Sequence, residues 1–369
     1  MKKLLAIILS AIFMLSFATV ATAEGDFSVA MITDYGDITD QSFNQTTYEA
    51  CKAYCDANGV NFSYFKPTGD SDAERTAMME TAIDEGYNVI VAPGYAFGGA
   101  LREVVGTYPD VYFIGIDVSS GDLGADFVMT DNLYCVVYQE ELCGYMAGYA
   151  AVKFGYNHIG FLGGMAVPAV VRYGYGFVQG ANAAAEADGK TDVVVEYVYG
   201  NQFYGDADIT AYMDNWFQTL GVEVVFPCGG GIYTSAAEAA AKVGGKIIGV
   251  DTDQKPVIDG MYGEGITLTS AMKGLGEAVD YSLTKIAAGE FADLGGKMEV
   301  LGLVSENPEE NYVLIPMDST PFDENFSMDD YKAMIADMLS GKLVVSDDIT
   351  VDAASFGTVA KVNVYDNIK

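Results

Sequence analysis

The stretches SVAMITDYG at residues 28–36 and HIGFLGGMA at residues 158–166 share one pattern, an apolar β-rich run that breaks into small or acidic residues, and they lie 130 positions apart. Two further pairs repeat in the same order. VIVAPG at 89–94 matches VVFPCG at 224–229 with an offset of 135, and FIGID at 113–117 matches IIGVD at 247–251 with an offset of 134. Any one of these is a common strand pattern. Three in order at nearly constant offset imply two related lobes. The runs alternate with helical segments, which predicts an α/β fold in which each lobe is a parallel sheet flanked by helices. The strands end in Gly, Asp or Thr, and ligands of open α/β sheets sit at such carboxyl ends. Two lobes with facing strand ends would form a cleft.

Working outward, strands are expected at 27–32, 62–65, 89–92 and 112–117. A helix over 42–58 places Ala50, Cys51, Tyr54 and Cys55 on one face, with Ser42 and Gln45 as a capping box and Gly59 as its end. Ser71 and Glu74 cap the next helix, which stops at Gly86, and another runs from about 99 to 106. Residues 133–155 read as one long helix after the first passage between lobes. A strand at 266–270 and a helix at 275–289 are expected to return to the first lobe. Residues 331–339 read as a helix ended by Gly341, and the final twenty residues have no clear place. The resulting division is a leader at 1–23, a first lobe of 24–132 plus about 270–300, and a second lobe of 133–269 plus part of 301–369.

Lys2 and Lys3, an apolar run to Val20, and Ala21-Thr22-Ala23 read as a secretory signal peptide with its cleavage site. The first cysteine is Cys51, so no cysteine follows that site to carry a lipid. The protein is expected to be exported, to the periplasm or the cell surface. The 369 residues carry a net charge of −33, which repels nucleic acid and anionic lipid. Five cysteines, an odd number without framework spacing, read as buried thiols.

Catalytic signatures are scarce. The single histidine, His158, has no partner for a nucleophilic triad. The GxSxG elbow, the Walker A sequence and HExxH are all absent. Gly174, Gly176 and Gly180 imitate a dinucleotide loop with one residue too many, and close helix packing is the better reading. No cofactor or metal is expected. Asp34, Asp37 and Asp40 recur every three residues. They suit a cation or glycosidic site, helix capping, or acceptors for ligand hydroxyl and ring N–H groups at a strand end. Asp251 and Asp253 invite the same comparison.

TDYGDITDQSFNQ at 33–45 resembles the opening signature of the basic membrane protein family, the nucleoside-binding components of ABC importers, which include the purine nucleoside receptor type. The resemblance continues through YPDVYFIGID at 108–117, EELCGYMAGYAA at 140–151, IGFLGGMAVPAVVRYGYGFVQG at 159–180, YGNQFYGD at 199–206, GVDTDQ at 249–254 and TLTSAMK at 267–273. It covers about residues 27 to 290. It implies a periplasmic-binding-protein-like fold of type I and a nucleoside held between two aromatic rings. Those rings correspond to Phe43 and Phe203, the base-side acid to Asp34, and the ribose-side pair to Asp251 and Lys273. Gly229, Gly230 and Gly231 match a glycine turn that brings backbone close to the ligand. Asp40, Asn44 and Asp117 complete the expected ligand-binding set. Asp37, Thr39 and Asn201-Gln202 depart from the family's pattern and leave the ligand open. The implied partners are an ABC permease and its ATPase, with the receptor a monomer. A sugar or other small polar solute is the second reading. A secreted nucleoside-cleaving enzyme and a sensory receptor are further alternatives.

Overall fold

All five residues of Val89–Pro93 and all five of Val224–Cys228 are buried, as strands inside a sheet covered on both faces must be. The computed structural model describes residues 27–34 and 36–369, so the expected leader lies outside the described residues. The chain begins with β1 (Ser28–Ile32), α1 (Phe43–Asn58), β2 (Asn61–Phe65), α2 (Asp72–Asp84), β3 (Val89–Pro93), α3 (Gly98–Val104), β4 (Tyr112–Ile116), α4 (Ser120–Leu123) and β5 (Leu133–Tyr138). It continues with α5 (Glu140–Lys153), β6 (His158–Gly163), α6 (Pro168–Asp188), β7 (Val194–Tyr199), α7 (Ala207–Asn215), β8 (Val224–Cys228), α8 (Tyr233–Ala241), β9 (Lys246–Asp251), α9 (Lys255–Tyr262) and β10 (Thr267–Lys273). Then come α10 (Leu275–Ala287), β11 (Lys297–Leu301), β12 (Val313–Leu314), α11 (Met328–Leu339) and β13 (Lys361–Val364).

One sheet has the order β11-β5-β4-β3-β1-β2 and the other β12-β10-β9-β8-β6-β7-β13. Strip the added edges and the two orders coincide, β1 standing for β6, β3 for β8 and β4 for β9. These are the three pairs of sequence matches. Among the described residues, all strand pairings are parallel except β10 with β12.

The structure moves two boundaries. Residues 133–155 are not one helix: LYCVVY is β5, paired with β4 and β11 in the first sheet, and α5 starts only at Glu140. A wholly apolar run has no periodicity to tell strand from helix. The first passage therefore follows Tyr138, not residue 132. The strand expected at 266–270 is β10, and it lies in the second sheet beside β9. The return follows Lys273, after which α10 packs on α1 of the first lobe as expected. A third passage joins β11 to β12. The passages are bonded together: Gln139 N–H donates to the Leu301 carbonyl at 2.9 Å, and Gly274 N–H to that of Tyr312 at 2.7 Å. The final residues find a place as β13, which extends the second sheet beside β7.

Helix α6 is anchored on α5 through glycines of both helices. A Cβ at Gly144 would stand 2.2 Å from the Tyr173 carbonyl oxygen, and at Gly148 2.1 Å from that of Phe177. In return, a Cβ at Gly176 or Gly180 would meet the carbonyl oxygens of Glu141 or Tyr145 at 2.0 Å. Gly176 and Gly180 of the nucleotide-loop lookalike are thus part of a seam between helices, whereas Gly174 faces Tyr197 and Phe161. The five cysteines are free and buried.

Gly180→Ala must push two backbones apart and is expected to cost about 1–3 kcal/mol, the usual penalty of overpacking. Gly260→Ala on α9, where nothing lies within 4 Å of the new carbon, should be neutral or slightly stabilising through helix propensity. Denaturant midpoints measure both. Equal midpoints for the two variants would contradict the seam.

Candidate functional site

Strand ends bring the site together. Asp34 follows β1, Asp117 follows β4, Asp251 and Lys273 close β9 and β10, and Gly229-Gly230 follow β8. Phe43 and Asn44 open α1, and Phe203 sits in the loop after β7. All ten expected residues line one cavity between the lobes, about 680 Å³ including its mouth. The remaining wall is largely apolar or aromatic, with Tyr95, Val167, Val170, Tyr173 and Val250.

Lys273 is the electrostatic centre. Its ammonium lies 2.8 Å from Asp117, 3.5 Å from Glu140 and 3.7 Å from Asp251, with all four side chains largely buried. Arg172 Nε donates to the other oxygen of Glu140 at 2.7 Å. Burial alone would depress the Lys273 ammonium, but Asp117, Asp251 and Glu140 outweigh it and hold its pKa well above the ordinary value. Burial raises Asp251, a shift that Lys273 and the Ser42 hydroxyl partly offset. Burial likewise raises Glu140, against the pull of Arg172. The ammonium also lies 4.9 Å from the centre of the Phe43 ring, close enough for a cation–π contact.

The start of α1 differs from the expected capping box. Ser42 makes no side-chain cap; its hydroxyl donates to Asp251 at 2.6 Å. Capping passes to Asp40, whose carboxylate accepts from the N–H groups of Ser42, Asn44 and Gln45 at 2.9–3.0 Å. A charged acceptor makes the stronger cap. Asp40 therefore lines the cavity with its oxygens already engaged. Asn44 Nδ2 bridges Asp34 at 2.8 Å and Asp40 at 3.1 Å, which leaves its Oδ1 buried without a partner. Burial pushes the Asp34 carboxyl up to about 6, against the hydrogen bonds from Gly36 and Asn44. The other two acids have structural partners. Asp37 pairs with Lys66 at the surface, and Asp253 accepts from the Ser319 hydroxyl and the Lys255 backbone N–H.

The glycine turn serves the aromatic as much as any ligand. A Cβ at Gly229 would lie 2.6 Å from the Phe203 ring, and one at Gly164 2.4 Å. Gly229 and Gly230 have φ of 138° and 50°, which side chains resist. Gly231 N–H donates to the Phe203 carbonyl at 2.8 Å. Among the described residues, the non-glycines with positive φ are Gln41, Asp117, Asn201 and Asp251. Asp117 and Asp251 line the cavity, and Gln41 and Asn201 lie within two residues of its lining.

Sequence reasoning missed Glu140, Arg172 and Tyr173. Glu140 opens α5, where an acid reads as a helix-dipole residue. The available signal was two acids heading an otherwise apolar helix.

Two α/β lobes joined by three passages, with strand ends facing across a cavity, define a periplasmic-binding-protein-like solute receptor. A solute-binding protein of an ABC transporter system from Aeropyrum pernix has the same fold, with a TM-score of 0.67, 20% identity and 90% of each chain covered. The "CD4+ T-cell-stimulating antigen" of Listeria innocua is 28% identical over 74% of this chain and 77% of its own length. The "ABC transporter nucleoside-binding protein BmpA" of Lactococcus lactis is 28% identical over 72% of this chain and 76% of its own. Residues 27–323 match the Bmp family, the PnrA-like ABC transporter substrate-binding proteins, and the chain belongs to that family. Its members capture a small molecule outside the cytoplasm for an ABC permease and its ATPase.

Because the folded-state pKa of Asp34 is raised, its ionised form costs stability as pH climbs from about 4 through about 6. Asp34→Asn keeps an acceptor for Gly36 and Asn44. It should raise the melting temperature of the empty protein at pH 7.5, with the gain fading towards pH 4.5. A gain independent of pH would contradict the assignment.

Proposed function

We propose that the protein is the receptor of an ABC importer for a nucleoside, most specifically a purine nucleoside, and that it acts as a monomer without catalysing a reaction. The observation that carries this reading is the composition of one cavity wall. It holds two aromatic side chains from each lobe, Phe43 with Tyr95 and Phe203 with Tyr173, together with four aspartates and a single lysine. A flat heteroaromatic ring is well matched by phenylalanine faces. Asp34 and the unpartnered Asn44 Oδ1 suit the ring N–H groups of a base. Asp117, Asp251 and Lys273 suit a ribose diol, which both donates and accepts. The excess of carboxylates disfavours a phosphorylated ligand, since a phosphate would enter beside several like charges. Export, which the expected leader would direct, suits this role.

Mass spectrometry of ligand released from denatured protein should detect a nucleoside. Calorimetry should then rank inosine far above inosine 5′-monophosphate, and free base below nucleoside. Phe43→Ala and Phe203→Ala should each weaken inosine by roughly 5- to 150-fold, the range for loss of about 1–3 kcal/mol of base stacking, and Phe43→Trp should retain most of it. A released sugar, with full nucleoside affinity absent from wild type, would favour the sugar reading. Free hypoxanthine accumulating from inosine would favour an enzyme.

A further inference from the structure

Gln254 reaches across the cleft without touching the cavity. It is fully buried and stands just before α9, at the end of the turn that begins with Asp251. Its side-chain oxygen and its backbone are both fixed within the second lobe. Oε1 accepts from the Val250 N–H at 2.9 Å, and its backbone N–H donates to Ser270 Oγ at 3.2 Å. The Nε2 donor is then committed to the Gln41 carbonyl of the first lobe at 2.9 Å. Gly249 makes room, since a Cβ there would stand 2.9 Å from the Gln254 Cβ.

The acceptor is equally prepared. Gln41 holds a left-handed φ of 57°, and both its backbone N–H and its Nε2 donate to Gln45 Oε1, at 3.1 and 2.7 Å. Its carbonyl is left for the opposite lobe. The next residue, Ser42, also bonds across, to Asp251, beside the Lys273–Asp117 pair that joins the lobes. Neither Gln41, Ser42 nor Gln254 lines the cavity. A strained first-lobe residue and a locked second-lobe amide therefore meet at a point where recognition gains nothing.

We propose that Gln254 Nε2 and the Gln41 carbonyl form a latch that keeps the two lobes closed, setting how long a ligand is retained rather than which ligand is chosen. The latch acts on the empty protein as well, so a closed population exists before any ligand enters. This rests on the reading of the protein as a clamp that closes on its solute. Gln254→Glu retains the acceptor for Val250 and loses the donor. Gln254→Met removes the donor without adding charge, so a folding defect specific to one variant does not decide the result.

Two readouts separate the latch from the ligand assignment. The first is the interlobe distance distribution of empty protein carrying spin labels at Glu49→Cys and Glu264→Cys, which needs no ligand. Wild type should show a closed population that both Gln254 variants deplete. The second is stopped-flow dissociation of inosine. Both variants should release it at least about fivefold faster, the size of one hydrogen bond, with association changed less than twofold. A wild type that fails to bind inosine overturns the nucleoside reading, while the distance distributions still judge the latch. An empty wild type without the closed form, or distributions and release rates that Gln254→Glu and Gln254→Met leave unchanged, overturns the latch.

Discussion

A single buried ammonium, Lys273, holds the strand ends of both lobes in one arrangement. Three carboxylates out of contact with bulk water do not remain together unaided, because each loses hydration and repels the others. Lys273 stands at the last position of β10, where the chain leaves the second lobe, and meets Asp117 of the first lobe and Asp251 of the second. Glu140, just past the first passage, joins them and is itself held by Arg172. Asp117 and Asp251 are the corresponding residues of the duplicated strands β4 and β9, and both adopt left-handed backbone, with φ of 60° and 65°. The repeated two-lobe plan thus brings two acids to one lysine, which makes their approach tolerable.

The rest of the site is arranged around that cluster. The Asp40 cap fixes the start of α1, which aims Phe43 at the lysine and Asn44 at Asp34. The turn of Gly229 and Gly230 lets the Phe203 ring lie against bare backbone. The glycine seam between α5 and α6 keeps Arg172 and Tyr173 near the passages. Rigid placement of this kind leaves little ligand-binding energy to be lost in ordering side chains.

Much of this was legible beforehand. The repeat offsets revealed the duplicated lobes because strands buried on both faces are short apolar runs with conspicuous ends. The resemblance of 33–45 and 267–273 to a known family brought Asp34, Phe43 and Lys273 to attention, and they do meet in one cavity. Boundaries were harder. LYCVVY carries no alternation, so β5 merged with the helix behind it, and the edge strand β13 carries too weak a pattern to stand out. Ser42 looked like a cap because the pattern Ser-x-x-Gln is local, whereas its actual partner, Asp251, is 209 residues away. Long-range polar partners have no periodicity, and for that reason Glu140 and Arg172 were also missed.

The central claim is that Lys273 neutralises acids that otherwise repel one another. Its most direct test is the unfolding free energy of Lys273→Met in the empty protein at pH 7.5 and at pH 5. Removing one partner of a buried ionic cluster typically costs about 3–5 kcal/mol. Burial already raises the pKa values of Glu140 and Asp251, and loss of the ammonium must raise them further. Protonation at pH 5 should therefore recover a large part of the deficit. A loss near 3–5 kcal/mol at pH 7.5 that shrinks at pH 5 is the predicted result. A loss below roughly 1 kcal/mol, the scale of an exposed pair, or one equal at both pH values, would contradict it.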